Sequence, residues 1–209
     1  MDRLNLKTVY FLDLLLIGLS AVLGLAFLSG YIAVWPDFWN TDRDWSAGEI
    51  LNYLKWTALA FVFLTAYLRD RALIMLSLFA VVLILLADDS LQIHETLGPE
   101  IVRIFGLHFR FGLAAYTIGP LVIWGALGVA VVALTWFGWR SASAELKRAL
   151  LPVFGLFFGI VFFAIGVDAL HELIDMPKAM KGVFGIVEDG GEMLMLTAML
   201  IYVWNTFRA

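Results

Sequence analysis

The stretch ALIMLSLFAVVLILLADDSLQIHE, residues 72–95, decides the fold. Its first sixteen residues are apolar apart from Ser77, and the run then ends on Asp88-Asp89, with His94-Glu95 close behind. A run of this kind, about 20 residues long, spans a bilayer as a helix. A carboxylate held at membrane depth costs about 2.5–3.5 kcal/mol on insertion scales, so it marks a partner, a proton path or a metal. The stretch therefore predicts a membrane helix that ends in chemistry.

Five further apolar runs resemble it in length: Tyr10–Trp35, Ile50–Leu68, Leu113–Trp139, Leu150–Leu170 and Ile186–Phe207, with Ala72–Leu91 as the third in order. Of the 209 residues 62% are apolar, against about 45–50% in a soluble domain. The expectation is an all-α integral membrane protein, a single polytopic domain over residues 1–209, with six transmembrane helices in one bundle. Pro99 to Gly106 reads as a short interfacial helix after the third span. The first run is too long for a cleaved signal sequence and reads as a retained anchor.

Charge predicts the orientation. Arg3, Lys7, Arg69, Arg71, Arg140, Lys147, Arg148 and Arg208 flank one set of helix ends, which carry only four acids: Asp2, Asp13, Asp70 and Glu145. The other set carries six basic residues and fourteen acids. By the positive-inside rule the basic side and both termini are cytoplasmic. The acidic side then faces outward, which in a bacterial inner membrane is the periplasm. Trp35, Trp39 and Trp45 on that side, and Trp136, Trp139 and Trp204 on the other, read as interfacial belts. A net charge of −4 argues against a nucleic-acid partner, and the absence of cysteine excludes thiolate chemistry.

Three acidic clusters fall at outer helix ends. In the fifth run Asp168, His171, Glu172 and Asp175 stand at offsets of 3, 4 and 7 and share one helical stripe. Asp168-x-x-His171 imitates the Glu-x-x-His device that aims two ligands into carboxylate-bridged dimetal sites. In the third run Asp88, Gln92 and Glu95 share a stripe and Asp89 lies beside it. His94 falls on another face unless the helix ends or bends before it. In the sixth, Glu188 and Glu192 share a face around Gly190-Gly191, with Asp189 adjacent. First-turn acids also suit a helix N-terminus, but Glu192 lies a turn deeper than dipole capping reaches.

The expected metal ligands are Asp88, Asp89, His94, Glu95, Asp168, His171, Glu172, Glu188 and Glu192, converging on one site at the outer face. Carboxylates with one or two imidazoles suit one or two divalent ions, iron, manganese or zinc. The expected function is a membrane-embedded, metal-dependent enzyme with a dinuclear site, acting on a lipidic or quinone-like substrate that enters from the bilayer. Lys55 is the expected counter-ion of the acids, with Arg103 and Arg110 as alternative partners for Asp88. His108 is placed to swing over the site, and Gly155-x-x-x-Gly159 to pack against a neighbouring helix. Asp13 reads as lying near the cytoplasmic end, paired with Arg3, Lys7 or a neighbour.

Two other functions fit the same residues. Ser90-x-x-x-His94 resembles, over about ten residues, the Ser-x-x-x-His element of the ceramidase and progestin-receptor-like superfamily of intramembrane amidases. The resemblance implies a zinc-dependent hydrolase. That superfamily usually has seven helices and a His-x-x-x-His pair, where this chain has His171-x-x-x-Asp175. Acids at graded depth also suit a divalent-cation or proton transporter, although Asp13 is then the only obvious acid for the cytoplasmic half. Oligomeric state is not legible in the sequence.

The orientation has a direct test. The chain has no native cysteine, so a Ser143→Cys variant should resist membrane-impermeant thiol reagents in intact cells and react after permeabilisation. Labelling from outside reverses the assignment.

Overall fold

A computed structural model of the chain describes residues 6–41, 43–107, 115–167, 170, 174 and 177–208. Among them the regular structure is helical, without strands. In chain order the elements are α1 (Leu6–Leu28), a 3₁₀ turn (Asp37–Trp39), α2 (Ala47–Asp70), α3 (Leu73–Ser90), α4 (Ile93–Phe105), α5 (Ala115–Ser141), α6 (Ala144–Val161) continuing as a π-helical segment (Phe162–Val167), and α7 (Lys178–Phe207).

Among the described residues five stretches are long and apolar enough to cross a membrane: Thr8–Leu28, Ala47–Asp70, Leu73–Ser90, Thr117–Ser141 and Ala144–Val167. The chain is thus an all-α, multi-pass membrane protein. The sixth expected span, in α7, is not among the five. At 30 residues α7 is long enough, about 45 Å, but Glu188, Asp189 and Glu192 interrupt its apolar run.

The helices gather into two compact units. One comprises Met1–Trp56 with Arg148–Arg208, and the other Thr57–Lys147. In the first, α1 packs on α7, and the π-helical segment packs on α7 as well. In the second, α5 packs on α3 and α4.

Local chemistry explains the helix ends. After α1 the chain turns at Gly30, whose φ of 75° is the left-handed conformation that glycine adopts without penalty. It then lays Trp35 across Gly24, where a β-carbon would sit 2.9 Å from the indole ring. The apolar residues 29–35, expected to continue the first span, thus leave the helix. Ser46 starts α2 earlier than Ile50: its hydroxyl accepts the Glu49 amide at 3.3 Å, while the Glu49 carboxylate accepts the Trp45 amide at 2.6 Å and the Tyr53 hydroxyl at 2.8 Å. This variant of the capping box satisfies amides that a helix start leaves open.

At three helix ends that the charge bias assigns to the cytoplasm, a cation lies over an aromatic ring. The pairs are Arg71 over Tyr67, Lys147 over Trp139 and Arg208 over Trp204, at 5.7, 5.5 and 4.5 Å. Such pairs suit an interface where rings sit at headgroup level. Trp139 and Trp204, two of the tryptophans expected in a belt, are the rings of two of these pairs.

Glycine sets the helix crossings. A β-carbon on Gly119 would run into the Gly98 carbonyl, one on Gly98 would lie 2.7 Å from Pro120 Cδ, and one on Gly138 would lie 2.6 Å from Ile74 Cα. These contacts hold α5 against α4 and α3. Of the expected Gly155-x-x-x-Gly159 pair, a β-carbon on Gly159 would lie 3.0 Å from Met195 Sδ of α7, and one on Gly155 would meet nothing within 4 Å.

Gly119→Leu should therefore destabilise the protein by at least about 1–3 kcal/mol, the usual cost of overpacking. Gly125→Ala, where a β-carbon meets nothing within 4 Å, should stay within about 0.5 kcal/mol of the parent. Thermal unfolding in detergent compares the two, and equal effects would discount the glycine crossings.

Candidate functional site

The third-run cluster is built by a break in the helix. α3 ends at Ser90, and Gln92 adopts φ 51°, ψ 45°, a left-handed conformation rare outside glycine and asparagine. The helix breaks there and α4 begins. This brings His94 back over Asp88, which continuous helical geometry would have kept on another face.

The Asp88 carboxylate accepts three donors. The His94 backbone amide reaches Oδ1 at 3.1 Å, the His94 Nδ1 lies 3.1 Å from Oδ2, and the Trp124 indole N–H reaches Oδ2 at 3.1 Å. Asp88 thus caps α4 from six residues upstream, where the N-cap residue Gln92 makes no side-chain cap bond. The imidazole and indole rings lie 4.5 Å apart, centroid to centroid. Of the expected partners for Asp88, Lys55 bonds elsewhere, Arg103 bonds Glu100 at 2.6 Å, and Arg110 lies outside the described residues. Trp124 carries no sequence signal as a site residue beyond being a donor in an apolar run.

The other face of His94 meets Glu95, with Nε2 3.6 Å from Oε1. The His94 side chain is 14% exposed and Glu95 50%. His94 is therefore an imidazole held on one nitrogen by a buried carboxylate and offered on the other to a half-exposed one. Burial disfavours its charged form, but the hydrogen bond and charge of Asp88, with Glu95 and Asp89 adding, outweigh burial. Its pKa is raised above the ordinary 6.5.

In the other unit, Glu188, Asp189 and Glu192 lie half-buried on α7. The backbone between and after them is held on three sides. A β-carbon at Gly190 would touch Ile17 of α1 at 3.2 Å, one at Gly191 would run into the Phe163 ring of the π-helical segment, and Met193 Sδ lies 3.3 Å from the position of a Gly48 β-carbon on α2. At 100° per residue, Glu188 and Glu192 share the face opposite Gly190, bordering the Gly191 side where the π-helical segment packs. That segment ends at Val167, one residue before Asp168.

Asp168, His171, Glu172, Asp175 and His108 lie outside the described residues. Of the nine expected ligands, Asp88, Asp89, His94 and Glu95 belong to one unit and Glu188 and Glu192 to the other. Among the described residues, no three His, Asp or Glu side chains gather as a metal would require.

The expected roles of Lys55 and Asp13 need correcting. The Lys55 ammonium donates to Asp13 Oδ1 at 2.6 Å, to Asn52 Oδ1 at 3.0 Å and to the Met193 carbonyl at 3.2 Å, and Thr197 donates its hydroxyl to Asp13 Oδ2 at 2.5 Å. Asp13 is 0% and Lys55 2% exposed. Among the described residues Lys55 pairs with Asp13 and not with the acids at the helix ends, and Asp13 finds its partner in a neighbouring helix, the last of the three alternatives expected for it. Asp13 stands about a third of the way along α1 and Lys55 about a third of the way along α2, and their side chains meet there.

A family model described as "Domain of unknown function (DUF8692)" matches residues 45–206. The chain belongs to that family. The match takes in Lys55 and all three acidic clusters, and leaves α1 and Asp13 outside. No curated protein and no solved structure matches the chain.

Because the pKa of His94 is raised on folding, its charged form stabilises the protein fully below the unfolded value. That contribution is lost as pH rises through the folded one. Melting temperature in detergent, followed from about pH 5.5 to about pH 9, should fall through this window. A His94→Gln variant should lose that part of the slope, and an unchanged slope would show that other groups carry it.

Proposed function

We propose that the chain is a membrane-embedded, metal-dependent enzyme. In this reading it binds one or two divalent ions, iron, manganese or zinc, at its outer, periplasmic face in the inner membrane. α7 supplies the sixth span, both termini are cytoplasmic, and the substrate is lipidic or quinone-like.

The observation that carries the reading is the seat of the π-helical segment on Gly191. π-helical turns are rare and recur at functional sites. This one leads directly into Asp168-x-x-His171-Glu172 and packs beside the α7 face that bears Glu188 and Glu192. One expected cluster, on α7, thus borders this packing contact, and a second follows it directly in sequence. Carboxylates with an imidazole form a hard donor set suited to these metals, which can lower the pKa of bound water or polarise an oxygen of the substrate.

His94 adds a second pair of donors. Metal-binding histidines usually give their other nitrogen to a carboxylate that fixes ring orientation, and Asp88 stands in that relation to His94. Glu95 lies 3.6 Å from the remaining nitrogen, close to the separation of two ligands on one tetrahedral ion with bonds of about 2.1 Å. Asp88 is then an orienting residue rather than a ligand. Binding would displace a proton from His94, so affinity should rise with pH.

Elemental analysis of detergent-purified protein tests the reading. Near two iron or manganese per chain supports the dinuclear enzyme, near one zinc the hydrolase reading, and none rejects a metal function. His171→Ala and Glu192→Gln should lose metal. Asp88→Asn should weaken affinity by about 10–100-fold, as loss of an orienting carboxylate does. A His171→Ala protein with full metal content would reject the donor set.

A further inference from the structure

We propose that the buried Asp13–Lys55 pair is the positioning device for the acidic segment of α7, setting the register at which Glu188 and Glu192 meet their metal. The inference rests on the metal reading above.

An ammonium group has three donors, and Lys55 sends them in three directions: to Asp13 on α1, to Asn52 one turn back on α2, and to the Met193 carbonyl on α7. Asp13 returns to α7 through Thr197. α7 is therefore tied at two points one turn apart, and the first of them directly follows Glu192. A slip of one residue moves a helix by about 1.5 Å and turns it by about 100°, which neither tie to α7 survives.

Stability alone does not call for this arrangement. Well-packed apolar residues serve as well as a buried ion pair, whereas fixing register is what such polar groups do best. The surroundings agree. Gly190 against Ile17 and Gly191 against Phe163 leave no slack for α7 to rotate. The clamp also involves none of the expected metal ligands.

The test uses the full chain in detergent and reads two quantities. The first is metal content and affinity for Mn²⁺ or Zn²⁺. The second is disulfide formation in an Ile17→Cys/Gly190→Cys background, which reports the α1–α7 register independently of metal because the chain has no other cysteine. Asp13→Asn should reduce both several-fold, and the exchange Asp13→Lys with Lys55→Asp should recover them in part. Thr197→Val removes one bond of the clamp and is the variant to use where Asp13→Asn does not fold. It should remain monodisperse and lose about tenfold in metal affinity, the scale expected for a supporting residue. Crosslinking that persists unchanged in folded Asp13→Asn and Thr197→Val overturns the positioning role. So does a lost crosslink with metal affinity intact. A parent protein that crosslinks efficiently but holds no metal overturns the function proposed above, and with it the purpose of the clamp.

Discussion

An ionised group inside a bilayer must find its partner within the protein, because the hydrocarbon offers none. This constraint bears on two polar centres among the described residues. Asp13 and Lys55, each almost fully buried, use every close donor and acceptor on one another, on Asn52, on Thr197 and on a backbone carbonyl. Asp88, buried at the end of α3, gathers an amide, an imidazole and an indole. The helices are placed so that these charges are met, and the glycine crossings permit the close approach that meeting them demands.

The two centres differ in what they leave over. The Asp13–Lys55 network is closed: the ammonium has no spare donor, and both carboxylate oxygens are engaged. Removing one partner from such a pair typically costs about 3–5 kcal/mol, because a charge is left buried without compensation. The Asp88–His94 centre is open at one end, where an imidazole nitrogen faces a half-exposed carboxylate. Fully satisfied buried networks rigidify a structure. The acid once available to a conduit through the cytoplasmic half, Asp13, belongs to the closed kind.

Much of the fold is legible in the sequence because spanning a bilayer fixes both length and composition. The third run, expected over Ala72–Leu91, forms a helix over Leu73–Ser90. Legibility falls where the chain departs from a regular helix. The break at Gln92 uses a residue with no preference for a left-handed conformation, so nothing in the sequence marks it, and with it goes the placement of His94. The conversion of α6 to π geometry over Phe162–Val167 is equally silent. Lys55 and Asp13 escape for another reason. Depth counted from the ends of a residue's own run says nothing about the axial offset between neighbouring helices. Trp124 and Thr197 are ordinary span residues until a carboxylate is found beside them.

The separation of Asp13 and Lys55 along the chain has a consequence for biogenesis. The two charges lie 42 residues apart, on successive helices. While α1 alone is in the membrane its carboxylate has no countercharge, and arrival of α2 supplies one, so the two helices enter most cheaply as a hairpin. Thr197 and the Met193 carbonyl are synthesised more than a hundred residues later. The nascent chain must therefore hold a neutral but under-coordinated pair until its last helix arrives, and docking of α7 is the step that completes it.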